Sequence, residues 1–336
     1  MPRHINIPIF IPHLGCPNQC VFCNQRHISG VAQFDPDSVT GIIEEALSTV
    51  DTDDEVEIAF FGGSFTGIDR DLMIKLLEVA GQYRKSGKIS SIRCSTRPDY
   101  IDEEILDILM RSGVRVIELG LQSADDSVLC ATKRGHSFEA ERKACKMIID
   151  RGFELVGQMM IGLPSATPES EIETAKFIVE SGAHAARIYP TVVFKDTELC
   201  DMATRGTYTP ITIEEAVERS VGPLEIFISA GVDVIRIGLC SSENLASEDT
   251  YFAGPNHPAL GEMIINRLYY KKIYDKIKDC HSLPEVLTVY VAPGALSKAV
   301  GQKKTNKIRL IKELGLADAI FREDSSLRGY ELKLEF

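Results

Sequence analysis

The chain has 336 residues, 44 % of them hydrophobic, and a formal net charge of −12. That length allows one large core, or one large and one small, and the acidity excludes a global field drawing the protein onto nucleic acid; such contact needs a local basic patch. MPRHINIP has no charged-then-apolar signal pattern, and no apolar run approaches the ~20 residues of a membrane helix, so the expectation is a cytoplasmic protein with no membrane partner.

In chain order, short apolar runs alternate with amphipathic stretches as far as residue 240. The runs are INIPIFI (5–11), VEIAFF (56–61), SSIRCS (90–95), VRVIELGL (114–121), ELVGQMMIGL (154–163), ARIYPTVV (186–193) and VDVIRIGL (232–239). Residues 69–85 and 167–182 carry apolar side chains at helical intervals, and Thr167 or Pro168 before an acidic turn is a helix start. Repeated strand–helix units predict an α/β fold with a parallel sheet, a full or partial TIM-like barrel of six or seven units. Chemistry in such barrels gathers at the C-terminal strand ends.

Beyond residue 240 the pattern changes. A helix-like run to about Cys280 precedes strand 286–292, two short helical stretches around Gly301-Gln302-Lys303-Lys304, and strands 317–321 and 330–336. The expected division is a barrel at 1–240, a connecting helical segment at 241–283, and a small α+β module of β-α-α-β-β order at 284–336.

Directly after the first run, PHLGCPNQCVFCNQR carries Cys16, Cys20 and Cys23 with C-x3-C-x2-C spacing. Thiolates are the usual ligands of iron–sulfur clusters, and a [4Fe–4S] cube takes four. Three on one loop would leave one iron open to bind and reduce a small molecule. Structural zinc would need a fourth ligand, yet only His13 and His27 lie nearby and no second Cys pair appears. Nine cysteines is an odd number, which argues against a disulfide framework. The other six (Cys94, Cys130, Cys145, Cys200, Cys240 and Cys280) lack ligand spacing, and most are expected as small buried hydrophobes. The loop from Gly15 to Asp35 is too long for a simple connection, and long loops in compact domains are usually functional. Strand 56–61 then runs into GGSFTG (62–67), where glycines admit a ligand to the backbone and carbonyls could accept from an amino group.

The three-cysteine loop with Phe22 before its last thiol, followed by a strand and a GG turn, resembles the radical S-adenosylmethionine (SAM) superfamily. STRPDYIDEEILDILMRSGVRVIELGLQSADDSVLCATKRGHS (95–137), GFELVGQMMIGLP (152–164) and RIYPTVVFKDTEL (187–199) are similar to the radical SAM part of the Elongator catalytic-subunit family, over roughly residues 5–240. The resemblance implies a [4Fe–4S] cluster on Cys16, Cys20 and Cys23, with its free iron chelating the methionine part of SAM. It implies Phe22 and the strand around Tyr189 near adenine, and Gly62, Gly63 and Ser64 at the SAM amino group. Arg97, Glu118 and Gln122 become candidates for polar contacts to SAM. Plainer readings stand beside these: Arg97 could pair with Glu118 or cap a turn, Gln122 could serve only its loop, and Arg134 and His136 could be solvated.

The implied activity is reductive cleavage of SAM, fed by an external donor of flavodoxin or ferredoxin type, and hydrogen abstraction from RNA, tRNA above all. One departure limits the carry-over. The family couples its barrel to an acetyltransferase domain, and residues 241–336 lack the R/Q-x-x-G-x-G/A loop that would hold CoA, so acetyl-CoA-dependent chemistry is not expected.

The tail points to RNA separately. LSKAVGQKKTNKIRLIKEL (296–314) holds Lys298, Lys303, Lys304, Lys307, Arg309 and Lys312 before its first acid, Glu313. A glycine turn between two helices, rimmed with lysines, resembles the KH module, whose GXXG loop clamps single-stranded RNA. Lys304 stands where the second glycine belongs, and the bland alternative is a solvated helix face. Two other functions fit the motifs. One is a radical SAM enzyme acting on a small molecule such as a tetrapyrrole, similar to the oxygen-independent coproporphyrinogen oxidases. The other is a non-catalytic metal-binding protein.

Overall fold

Period-two alternation decides which way each strand faces. In the first run Ile7, Ile9 and Ile11 are buried against helices, while Asn6, Pro8 and Phe10 look into a cavity on the opposite face. The computed structural model describes residues 3–17, 19–25, 33–51, 53–239, 247, 249–278 and 283–335, so His27, Cys240 and Cys280 lie outside the described residues.

Seven strands form one parallel sheet: β1 (His4–Ile11), β2 (Glu55–Gly62), β3 (Ser91–Thr96), β4 (Val114–Gln122), β5 (Glu154–Ile161), β6 (Ala185–Pro190) and, after the short β7 (Val193–Phe194), β8 (Asp233–Ile237). They lie in the order β1-β2-β3-β4-β5-β6-β8, and among the described residues no pairing joins β8 back to β1. The fold is therefore a partial TIM-like barrel. The run expected as one strand to Val193 breaks at Pro190, whose ring removes a backbone donor. Val193 and Phe194 pair instead with β9 (Tyr251–Ala253), antiparallel.

Helices α1 (Val39–Leu47), α2 (Arg70–Lys85), α3 (Glu103–Ser112), α4 (Asp126–Ala131), α5 (Phe138–Asp150), α6 (Pro168–Glu180), α7 (Glu198–Thr204), α8 (Ile213–Ala230) and α9 (Leu260–Ile277) follow in chain order. Asp69, Asp102, Ser137, Thr167, Thr197 and Thr212 each accept from the backbone N–H three residues on, which is why α2, α3, α5, α6, α7 and α8 start where they do. Leu76, Leu106, Ile148, Ile178 and Phe227 pack on Ile58, Phe60, Ile92, Leu119, Leu155 and Ile188 of the sheet's outer face. Cys94 and Cys145 are buried in this apolar layer, away from the cavity, whereas Cys130 is exposed.

The small module has the β-α-α-β-β order: β10 (Val286–Val291), α10 (Leu296–Val300), α11 (Thr305–Leu314), β11 (Asp318–Glu323) and β12 (Leu332–Glu335), with sheet order β11-β10-β12. Helix α9 is more than a connector. Its Leu260, Ile264 and Leu268 belong to the large core, and its Tyr269, Tyr270, Ile273 and Ile277 complete the small one.

Polar side chains fill the concave face of the sheet. Glu118, fully buried at the middle of β4, accepts from Arg93 Nη1 (2.8 Å), Gln158 Nε2 (2.9 Å), Arg187 Nε (2.9 Å) and Arg187 Nη2 (3.0 Å). Arg93 also donates to Glu57 (2.8 Å), which Ser91 and His4 bond from neighbouring strands. Two carboxylates and two guanidiniums thus balance each other inside the barrel. Breaking such a buried pair by removing one charge costs about 3–5 kcal/mol, because the partner is left uncompensated. Glu118→Gln is accordingly expected to lower the urea-unfolding free energy by about that amount, and the double variant with Arg187→Gln should lose less than the sum of the singles. Additive losses would show that the two side chains do not act as a pair.

Candidate active site

The cysteine loop is docked by backbone against backbone. Gly63 N donates to Ile11 O (2.8 Å) and Ser64 N to Leu14 O (3.1 Å). A Cβ on Gly63 would sit 2.0 Å from Leu14 O, one on Gly15 2.1 Å from Ser64 O, and Gly62 holds φ +111. No side chain fits between the two turns, which is the first reason for the GG pair. On its other flank the loop is tied by Val21 N to Thr132 O (3.2 Å) and Leu199 N to Val21 O (2.8 Å). Gln25, which the sequence did not single out, closes the loop: its backbone N donates to His13 Nε2 (3.0 Å) and its side chain to Gly62 O.

A cavity of about 510 Å³ opens at the C-terminal ends of the strands, within the range of small-molecule sites. Cys16, Cys20, Cys23, Phe22, Gly62, Gly63, Arg97, Glu118, Gln122 and Tyr189 all line it. Ser64 does not. It is fully buried behind the wall, its hydroxyl bonded to Thr96 Oγ1 (2.8 Å) and accepting from Arg97 N (3.3 Å), so its side chain holds the β3 end rather than a ligand. Asn6, Gln158, Arg187 and Arg236 are further lining residues that motif reading missed. Their signal was available: Gln158 and Arg187 stand at alternate positions with Met160 and Tyr189 in otherwise apolar strands.

Arg97 and Glu118 do not pair. Arg97 donates to Asp99 through Nε (2.9 Å) and Nη2 (2.8 Å), and its Nη1 lies 4.0 Å from Cys20 Sγ. Arg134 Nη1 is closer to that sulfur, at 3.3 Å, and its Nη2 bonds Gly120 O. The Arg134 and His136 side chains are therefore interior, not solvated. His136, 1 % exposed in its side chain, reaches Glu141 with Nε2 (3.0 Å) and faces Arg97 and Asp99 with Nδ1. Burial opposes ionisation of Asp99, yet bonds from His136 and Arg97 hold its carboxyl below the usual range. Glu141 goes the other way: burial lifts it to about 7 against the pull of His136 and Arg134, and its Oε2 has no partner.

The donor set suits an iron–sulfur cluster. Burial raises the Cys16 thiol, and burial with the two neighbouring sulfurs lifts Cys23 to about 12, so a bare set of three thiolates needs positive charge to form. The guanidiniums of Arg97 and Arg134, in the same cavity wall, approach Cys20. Among the described residues no three ligand side chains converge on a single ion, and the thiols instead share the wall of one cavity, as a larger multi-iron group requires. The cavity also holds an unsatisfied acceptor. A register shift between Gly120 and Gln122 bulges the end of β4, Gln122 takes φ +71, and its Oε1 is buried with no partner. Such strain and an orphaned acceptor at a strand end are signs of a ligand contact.

Comparison with known proteins agrees with this geometry. The family model described as the radical SAM superfamily matches residues 10–178, half of the chain, and the radical SAM C-terminal domain model matches 183–270. The chain belongs to the radical SAM superfamily. Membership makes it a radical SAM enzyme and implies a [4Fe–4S] cluster and SAM. The tRNA uridine(34) acetyltransferase of Methanocaldococcus infernus is 31 % identical over 206 residues, 55 % of this chain and 39 % of the relative. Elongator complex protein 3 of Schizosaccharomyces pombe is 28 % identical over 217 residues, 56 % of this chain and 39 % of the relative. The chain thus spans about two fifths of these curated relatives. Among solved structures, an archaeal Elp3 from Methanocaldococcus infernus with an N-terminal deletion superposes with a TM-score of 0.62 at 22 % identity, covering 83 % of this chain and 65 % of that one.

The pH dependence of stability tests the Glu141 environment. Its carboxyl titrates near 7 when folded and near its ordinary 4.5 when unfolded, so the folded state binds the extra proton. Stability from this site is full below about pH 4.5 and lost as pH rises through about 7. Relative to Glu141→Gln, the parent should lose up to ~3 kcal/mol of unfolding free energy between pH 5 and pH 8. Parallel urea-stability profiles for the two proteins would exclude the raised carboxyl.

Proposed function

We propose that this radical SAM enzyme cleaves SAM reductively at the strand-end cavity and starts radical chemistry on RNA, with tRNA as the substrate class. The observation that carries the cofactor reading is the meeting, in one cavity, of three thiols on a glycine-docked loop with the unsatisfied Gln122 acceptor. Cys16, Cys20 and Cys23 would hold the cluster. The backbone of Gly62 and Gly63 and the Gln122 amide would meet the polar end of SAM, with Phe22 and Tyr189 beside its adenine. Glu118 has both oxygens occupied, so its part is to fix Arg187 and Gln158 rather than to touch SAM. With both groups bound and an electron delivered by a flavodoxin- or ferredoxin-type donor, the chemistry supplied is cleavage of SAM to methionine and a 5′-deoxyadenosyl radical that takes hydrogen from the substrate. Arg97 and Arg134 would offset the added negative charge beside Cys20, and the apolar walls would keep water from the radical.

The RNA part rests on the relatives, two of which carry names tied to tRNA uridine acetylation or to Elongator. Their aligned region is the radical SAM part, so the acetyl-transfer half of their chemistry is not carried over. Anaerobically reconstituted protein with dithionite and SAM should yield 5′-deoxyadenosine, and Cys16→Ala, Cys20→Ala and Cys23→Ala should each lose both the product and the visible cluster absorbance. Reconstituted parent that leaves SAM intact would overturn the reading.

A further inference from the structure

The turn between α10 and α11 breaks the ordinary rules for a left-handed turn. Gly301 has φ +80, and a Cβ there would sit 2.5 Å from Thr305 Oγ1, so this position needs glycine. Two residues on, Lys303 (φ 52) and Lys304 (φ 62) are both left-handed, one after the other. Side chains rarely adopt that conformation, and glycine or asparagine would take it at less strain. The turn is nonetheless held rigid. Asn306 is buried behind it and donates to Asn266 O of α9 (2.7 Å) and to Ala299 O of α10 (3.0 Å).

The charge around this turn is concentrated and directional. The chain carries −12 overall, yet residues 296–312 contain six cations and no acid. The structure divides those six. Lys307 is engaged by Asp318 (2.8 Å), and Arg309 by Glu313 (2.7 Å) while lying over the Tyr270 ring at 4.3 Å. Lys298, Lys303, Lys304 and Lys312 are exposed, and among the described residues none is in an ion pair. On α11 the four-residue spacing sets Ile308 and Lys312 on one face, and the helix begins directly after the turn that carries Lys303 and Lys304. At 59 % exposure Ile308 is the most exposed large hydrophobic residue among the described residues. A cationic rim around an apolar centre, on a rigid turn in an acidic protein, complements a phosphate backbone with a base or ribose against the apolar patch.

We infer that the α10–α11 turn, through Lys298, Lys303, Lys304 and Lys312, docks the phosphate backbone of the RNA substrate. The inference rests on the RNA reading above and narrows it: Lys303 and Lys304 at the turn make two of the phosphate contacts, flanked by Lys298 and Lys312, while Lys307 and Arg309, grouped with them on sequence alone, are engaged within the module by Asp318, Glu313 and Tyr270.

The strain supplies a variant that should fold. In Lys303→Gly/Lys304→Gly both new residues favour the left-handed backbone, so thermal unfolding should come no earlier than in the parent. Binding of an unmodified tRNA transcript to the full chain, followed through a salt titration, should weaken about tenfold. The slope of log affinity against log salt should fall by about 1.5–2, the share of two phosphate contacts. Lys146→Ala/Lys176→Ala, which changes net charge equally on α5 and α6, should keep the parent slope. If the parent binds tRNA and the glycine pair binds it equally, or if the control loses as much, this surface is wrong and the RNA reading survives. If the parent does not bind tRNA, both fail, while formation of 5′-deoxyadenosine still reports separately on the SAM chemistry.

Discussion

A single carboxylate in the middle of the barrel, Glu118, sets the terms for the rest of the molecule. Fully buried, it must be met by fixed donors, and three side chains supply them: Arg93 from β3, Gln158 from β5 and Arg187 from β6. Arg93 carries the link on to Glu57 of β2. Five neighbouring strands are thereby tied at one level, because a slip of one residue would turn every one of these groups out of the concave face. A lumen built this way is polar where barrels of this type are commonly filled by branched aliphatic residues. The floor is closed by charge pairing, and the space above it stays open as the cavity.

The rim of that cavity is governed by a different constraint. The three-cysteine loop has to sit against the β2 end closely enough that Gly15 and Gly63 meet the opposing backbone with no room for a Cβ. Backbone-to-backbone docking, closed by the Gln25 and His13 side chains, holds the loop without spending its thiols or Phe22, which are left facing the cavity. Beside the thiols the cavity wall is electropositive: Arg134 and Arg97 approach Cys20, and each is held in place by further buried partners. Rigid support around reactive groups is what a precise site requires. The bulge that turns Gln122 inward serves the same end on β4.

Much of this was legible in the chain. All seven strands of the large sheet and the helices at 70–85 and 168–180 follow from alternation, helical spacing and caps such as Thr167. The cysteine spacing and the GG turn marked the right corner of the barrel. Reading by motif failed where a residue's neighbours come from distant sequence. The resemblance implies Ser64 at the SAM amino group together with the two glycines, yet Ser64 is not among the cavity's lining residues and its hydroxyl is spent on Thr96, thirty-two residues on. Arg187 and Gln158 lie within the family-like segments 187–199 and 152–164, yet no motif in those segments marks them as site residues, although both face the cavity. Lys307 and Arg309 looked equal to their lysine neighbours until Asp318 and Glu313 were brought beside them.

The division has a physical basis. Spacing within one element determines its periodicity, its caps and the set of ligands a single loop can offer; the amino-acid sequence alone therefore determined the α/β class, the strand set and the three thiols. Which charged groups neutralise one another depends on strand order and register, and no local pattern carries these. Only the tertiary structure could decide that Arg97 belongs to Asp99, that Glu118 belongs to Arg93 and Arg187, and that Gln122 alone of that strand end is left with an acceptor unmet.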